Sequence, residues 1–157
     1  MAQKTNPIPE GYHTVTPYLI VSDAAGAISF YKRAFNAEES MRLARPRGKV
    51  AHAEIKIGNS PILLADESQE TGSRAPQSLG GSSVSILLYV EDVDARFNQA
   101  VAAGAKVLRS VEDQFYGDRS GMLQDPFGHI WTIATHKRDL TFEEIRERAA
   151  AVSVNIR

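Results

Sequence analysis

Residues 18–37 read YLIVSDAAGAISFYKRAFNA, and residues 87–106 read LLYVEDVDARFNQAVAAGAK. Laid over one another at an offset of 69, Val21 meets Val90 and Asp23 meets Asp92. Each stretch opens on a short run of β-branched, aliphatic and aromatic residues, which reads as a strand. Each then presents an Asp suited to cap a helix, because its carboxylate can accept an orphan backbone N–H of the next turn. Ala27, Ile28, Tyr31, Ala34 and Phe35 fall on one helical face, as do Val93, Phe97, Ala100 and Val101. Asn36 and Gly104 suit the helix ends, where a left-handed residue is favoured.

Working outward, the same order of elements follows both copies. After the first helix, strands are predicted at about Ser40–Ala44, Val50–Ile57 and Pro61–Ala65. Arg45-Pro46-Arg47-Gly48 and Gly58-Asn59-Ser60 supply the turns between them. In the middle strand Ala51, Ala53, Ile55 and Ile57 alternate with His52, Glu54 and Lys56, so the two sets face opposite ways. The first strand is predicted at Thr14–Val21, with Pro17 marking an edge or an irregular start. In the second half strands are predicted at Val84–Val90, Lys106–Val111, Met122–Leu123 and Ile130–Thr135, with Asp125-Pro126-Phe127-Gly128 as a type I turn. The pattern is an α+β chain of two βαβββ modules. Residues 1–12 read as a loose arm, 13–66 as module one, 67–82 as a linker, 83–139 as module two, and 140–157 as a terminal helix and tail. Asp66–Ser83 has no apolar period and reads as a mobile connection or a lid. Thr141 and Glu144 make a capping-box pattern ahead of a helix from Phe142 to about Val152, which should dock on the body or on a second subunit.

Composition narrows the function classes. The chain has 157 residues, 43% hydrophobic and 24% charged, with 18 basic and 19 acidic side chains. This is ordinary globular composition for one domain. The near-zero charge offers no footprint for nucleic acid or an anionic membrane. There is no cysteine, so disulfides, thiolate nucleophiles and zinc-thiolate sites are excluded. No run approaches the roughly 20 apolar residues of a membrane span, and the start resembles no signal peptide, so a cytoplasmic location is expected. No GxSxG elbow or GxxxxGK[ST] phosphate loop occurs.

Several side chains could carry chemistry. His52 and Glu54 share a strand face, and a His beside a carboxylate is half of a metal site or a general-base pair. Solvated strand polarity would give the same pattern. Gln114-Phe115-Tyr116-Gly117-Asp118-Arg119 gathers an amide, two rings, a carboxylate and a guanidinium. Gln114, Tyr116 and Arg119 could line a pocket, with Arg119 holding a carboxylate or phosphate, or could form an ordinary turn. Tyr18, Tyr89 and Trp131 suit either a core or a stacking platform, and we place Tyr89 and Trp131 among the ligand-binding candidates. His13, His129 and His136 read as structural or exposed.

The stretches GYHTVTPYLIV, FYKRAF, HAEIKIGNSPILLADE, LLYVEDVDA, QFYGDRSG and DPFGHIWTIATH, in that order, resemble the PhnB-like branch of the vicinal oxygen chelate superfamily. That superfamily includes glyoxalase I, extradiol dioxygenases and the fosfomycin- and bleomycin-resistance proteins. The resemblance covers nearly all of Gly11–His136. It implies that each module curls its sheet into half of a cleft, that a divalent metal, where present, sits there, and that the protein pairs as a homodimer. It places the usual metal ligands at Thr16, at Ser85, near Ile62 or Leu63, and at Thr132. None is a His, Gln or carboxylate, so no cofactor is expected at the standard site. Ser85 and Thr132 would then be polar cleft lining. The function expected is small-molecule binding without that metal. The alternatives are a metal-dependent lyase, isomerase or dioxygenase holding a divalent ion at a displaced site such as His52 and Glu54, or an interaction module.

Overall fold

A computed structural model describes residues 5–154. The chain divides into two compact units between Gly81 and Ser82. In the first, β1 (Tyr18–Val21), α1 (Ala24–Phe35), β2 (Glu38–Ala44), β3 (Val50–Ile57) and β4 (Ser60–Asp66) form one sheet of order β1-β4-β3-β2 and its helix. A short helical turn, α2 (Pro76–Leu79), follows. The second unit holds β5 (Ser85–Tyr89), α3 (Val93–Ala103), β6 (Lys106–Asp113), β7 (Asp118–Gln124) and β8 (Ile130–His136), in the order β5-β8-β7-β6, and then α4 (Phe142–Val154). Each sheet is mixed, with one parallel pair at its edge and antiparallel pairs elsewhere.

The repeat is visible in the pairing register. Tyr18 lies opposite Leu63 and Val21 opposite Asp66; in the second unit Leu87 lies opposite Thr132, so both strands of the parallel pair are displaced by 69. The displacement extends to the helix starts. Asp23 and Asp92 cap α1 and α3 through Gly26 N and Ala95 N. The Ala24 N–H is held by Asp66 Oδ1 at 2.9 Å, and the equivalent Val93 N–H by Thr135 Oγ1 at 2.9 Å. Each helix is thus pinned at both sides of its first turn, which satisfies donors that have no partner within the helix. Asn36 ends α1 at φ 54° and Gly104 ends α3 at φ 119°. Asn tolerates the left-handed region and Gly enters it freely.

Alternation gives each sheet a helix side and an open side. In unit one Leu19, Val21, Ala53, Ile55 and Leu64 are buried with Ile28, Tyr31 and Phe35 of α1. In unit two Leu123, Trp131 and Ile133 are buried with Val93, Phe97 and Ala100 of α3. Gly121 is required there: a Cβ would stand 2.5 Å from the Phe97 ring. Asp125 closes the β7–β8 turn, accepting from Phe127 N, His129 N and, at 2.9 Å, the Trp131 indole.

Several expectations are corrected. β1 begins at Tyr18 rather than Thr14, because Pro17 cannot donate to a ladder; its carbonyl accepts from Leu63 N instead. The strand expected at Met122–Leu123 runs from Asp118 to Gln124, and β6 continues to Asp113. The connection after Asp66 is not patternless. Ser68 and Ser73 form a bridge, Pro76–Leu79 is helical, and Glu67 Oε2 accepts from Ala75 N and Ser78 Oγ. The capping box is present, with Thr141 N donating to Glu144 Oε2 at 2.7 Å. Phe142 is 78% exposed, so of the two docking places expected for this helix the body of the chain does not cover that ring. The tail beyond residue 154 lies outside the described residues. No helix among the described residues is long and apolar enough to cross a membrane.

Candidate functional site

The open side of the first sheet carries Tyr18 and Ile20 from β1, Leu63 and Ala65 from β4, His52 and Glu54 from β3, and Met41 and Leu43 from β2. Pairing in register puts them together: Tyr18, Leu63, Glu54 and Met41 form one cross-strand row, and Leu43 lies opposite His52. The sequence-predicted pair is joined, with His52 Nε2 3.2 Å from Glu54 Oε1. Two tyrosines extend it. The Tyr12 hydroxyl donates to Glu54 Oε2 at 2.5 Å, and the Tyr18 hydroxyl lies 2.8 Å from His52 Nδ1. The result is a continuous chain, Tyr12–Glu54–His52–Tyr18, over an apolar floor. Beside it a depression of about 430 Å³ is lined by Tyr18, Ile20, Ala65, Arg45, Thr71 and Ser73.

The chain sets the protonation of its members. Donation from Tyr12, and then from His52, holds the Glu54 carboxyl below the usual carboxylate range. The same bond, with some burial, pushes the Tyr12 phenol up to about 12. Glu54 is therefore an anion at neutral pH and orients the imidazole. Sequence reasoning missed Tyr12, and weighed Tyr18 only as a core residue or stacking platform, not as a partner of His52. Tyr12 falls in the stretch read as a loose arm, and its reach to Glu54 is tertiary. Tyr18 could have been placed from the register of the first strand.

The open side of the second sheet holds three of the predicted ligand-binding residues, Ser85, Tyr89 and Thr132, with Leu87, Ala134, Met122 and Ser120. Tyr89 is 56% exposed. Its hydroxyl donates to Asp118 Oδ2 at 2.8 Å; Asp118 Oδ1 lies 2.7 Å from His136 Nδ1, and His136 Nε2 lies 2.9 Å from Asp139. Asp118, then Asp139, raises the His136 pKa, and Asp118 raises that of Tyr89. His136, read from sequence as structural or exposed, is thus the centre of a hydrogen-bonded cluster.

The other candidates lie elsewhere. Trp131 is in the core, 1% exposed, with its indole N–H taken by Asp125; it has no ring face for a ligand to stack on. Arg119 points to the helix side, where Asp94 of α3 takes Nε and Nη2 at 2.8 Å and Asp113 takes Nη1 at 3.2 Å. Its guanidinium is committed to those carboxylates. Gln114 and Tyr116 sit in the β6–β7 turn, with the Gln114 amide 3.5 Å from Glu112 and Tyr116 partly exposed. The Gln114 backbone N–H donates to the Asp118 carbonyl at 2.7 Å, which ties this turn to the residue that holds the Tyr89 hydroxyl, and Tyr116, after Asp118, adds to the upward push on the Tyr89 phenol. Gly117, at φ 103°, allows the Arg138 carbonyl to approach where a Cβ would stand.

The side chains at the expected metal corners do not fit a divalent ion. Thr16 precedes β1, Ile62 is buried hydrocarbon, Leu63 offers no donor, and Ser85 and Thr132 offer neutral hydroxyls. Such ions take imidazole, thiolate or carboxylate donors at short range. His52 and Glu54 bond to each other, and among the described residues no three His, Asp or Glu side chains converge as a metal-binding group.

The sequence and the fold match those of known proteins. Residues 12–133 match the model of the Glyoxalase/Bleomycin resistance protein/Dioxygenase superfamily. An uncharacterized protein of Mycobacterium tuberculosis, Rv0887c, is 44% identical over 135 residues, covering 84% of this chain and 79% of that protein. The uncharacterized protein At5g48480 of Arabidopsis thaliana is 33% identical over 124 residues, 74% of each. Its X-ray structure superposes with a TM-score of 0.64 at 28% identity, covering 78% of this chain and 98% of that one. The crystal structure of TioX from Micromonospora sp. ML1 superposes with a TM-score of 0.62 at 25% identity, covering 79% and 98%.

Proposed function

We propose, on the premise that this chain belongs to the Glyoxalase/Bleomycin resistance protein/Dioxygenase superfamily, that it is a small-molecule-binding protein of the bleomycin-resistance or PhnB-like kind. In this reading an open sheet face takes the ligand, and no divalent metal occupies the superfamily's chelating corners. One observation carries it: a polar chain, Tyr12–Glu54–His52–Tyr18, set into an otherwise apolar sheet face beside a depression. Ligand sites combine apolar walls with a few placed polar groups. His52 and Glu54 would orient a ligand on the open face of the first sheet, and Ser85, Tyr89 and Thr132 line the open face of the second, each face a binding surface by itself. The exposed side chains of Met41, Leu43, Tyr18 and Leu87 support a homodimer, since apolar surface of this kind seeks cover. Native mass spectrometry with metal analysis tests the proposal. A bound small organic molecule without stoichiometric metal is expected; a stoichiometric metal whose removal abolishes ligand binding would overturn it.

A second reading rests on the continuity of the same chain. An imidazole held between an ionised carboxylate and a phenol is arranged to move a proton, the role of a general acid–base pair. Turnover assays on methylglyoxal–glutathione adducts and catechols, with and without added divalent metals, decide it, with His52→Ala as the control. Turnover that His52→Ala abolishes supports catalysis; no turnover under any of these conditions rejects it.

A further inference from the structure

The open face of the second sheet contains a cation that has no anion among the described residues. Arg109 in β6 lies opposite Met122, Met122 opposite Thr132, and Thr132 opposite Leu87, one row across four strands. These residues face away from Leu123, Trp131 and Ile133 and so away from α3. The Arg109 guanidinium gives one bond, from Nη2 to Ser120 Oγ at 3.1 Å. Its Nε–H is buried and has no acceptor among the described residues. Ser120 is 1% exposed; its hydroxyl accepts that bond and donates none among the described residues. Glu112, opposite Ser120, is the nearest carboxylate in register, yet its oxygen lies by Gln114 and it forms no ion pair with Arg109. Two neighbouring donors, one charged, thus stand on this face without an acceptor. Buried donors are nearly always paired, and an orphan calls for an explanation. A guanidinium edge matches the two oxygens of a carboxylate, sulfonate or phosphonate.

We propose that Arg109 and Ser120 form an oxyanion-recognition site, and that the ligand of this protein has an apolar body lying on Leu87, Tyr89 and Met122 and one oxyanionic head on Arg109. The inference rests on the small-molecule reading above and adds the charge and placement of the ligand. The oxyanion takes the Nε and Nη edge, which turns the orphan N–H toward an acceptor, and the Ser120 proton supplies a third bond. The first sheet has no equivalent: Met41 and His52 occupy the positions of Arg109 and Ser120, as the pairing of Met41 with Glu54 and of Arg109 with Met122 shows.

The test uses the full chain, isotope-labelled, with 2-naphthoate, its neutral isostere 2-naphthamide, and inorganic phosphate as probes, read by amide and Arg side-chain NMR shifts. Naphthoate should bind at least tenfold tighter than naphthamide, shifting the Arg109 Nε–H, Ser120 and Met122. R109Q should abolish that preference while leaving the naphthamide affinity within about twofold. R109K, which keeps the charge and loses the fork, should retain only part of the preference, and S120A should weaken naphthoate about threefold. Should R109Q not fold, R109K and S120A carry the test. Equal binding of the two naphthalene probes, or an R109Q or R109K protein with the full preference, would overturn the Arg109 inference and leave the small-molecule reading standing. Phosphate binding as tightly as naphthoate would overturn the apolar half of the proposal. Absence of binding by any probe to either sheet would overturn both readings.

Discussion

Replacing Asp66 by Ala should cost the first unit about 3–6 kcal/mol. The side chain is buried at the end of β4. Its Oδ1 accepts from Ala24 N at 2.9 Å and its Oδ2 from Val50 N at 2.6 Å. A hydrogen bond to a charged group contributes about 1.5–3 kcal/mol, and removal leaves two buried N–H groups unsatisfied. Lys49, 3.5 Å away with half its side chain in solvent, adds little. Asp66→Asn keeps one acceptor and should lose about half as much. Asp66→Thr copies the Thr135 solution, so it should restore the Ala24 bond and not the Val50 bond. The single tryptophan is Trp131, so its fluorescence reports the second unit and cannot read this loss. Native-state amide exchange at Ala27 and Ile28 of α1, extended over denaturant, measures it directly. A loss below about 1 kcal/mol for Asp66→Ala, with those amides still protected, would refute the view that this carboxylate anchors the helix to the sheet.

Four further outcomes follow from the geometry. Glu39 is held down to about 2 by bonds from Arg42 and then Lys32; its contribution should be complete above pH 4.5 and fade as pH falls toward 2, and Glu39→Gln should remove this acid sensitivity. NMR titration of the Glu39 carboxyl with a midpoint above 4 would contradict it. Tyr12 has its folded value raised from 10.0 to about 12, so the stability it adds is full below pH 10 and lost as pH rises through 12. Absorbance titration of Tyr12→Phe should show one fewer late-ionising phenol, and the Glu54 carboxyl should rise toward its ordinary value. Gly121→Ala places a methyl against Phe97 and Val111 and should cost about 1–3 kcal/mol by overpacking, seen as an earlier urea midpoint in Trp131 fluorescence. Asp118→Asn should lower the pKa of His136, whose raised value makes its contribution full below about pH 6.5 and progressively lost as pH rises from there through the raised value; unchanged imidazole shifts would count against the cluster.

The twofold architecture was legible because packing repeats leave periodic traces. The strand–Asp–helix order and the offset of 69 survive in the register of the parallel pairs, and the alternation through β3 correctly placed His52 and Glu54 on one face. Features set by single distant bonds left no trace. Asp66 and Thr135 perform the same task with different chemistry, so no residue-type match reveals them. The polar start of β7, Asp118-Arg119-Ser120, hides a strand because its pairing with β6 and β8, rather than its composition, makes it one. Tyr12 was lost to a stretch rich in Pro and Gly. Arg119 was misplaced for a simpler reason: neighbours in a strand point to opposite sides, so an apparent cluster of six consecutive residues is divided between two faces.

The separation of each sheet into a packing side and an open side has a consequence for how such a molecule can change. Substitutions at 41, 52 and 54, or at 109, 120 and 122, change the chemistry of the open faces without disturbing the hydrocarbon beneath the helices. A duplicated scaffold of this kind can diverge in its two halves, one turning to acid–base character and the other to cationic character, while both go on folding by the same plan.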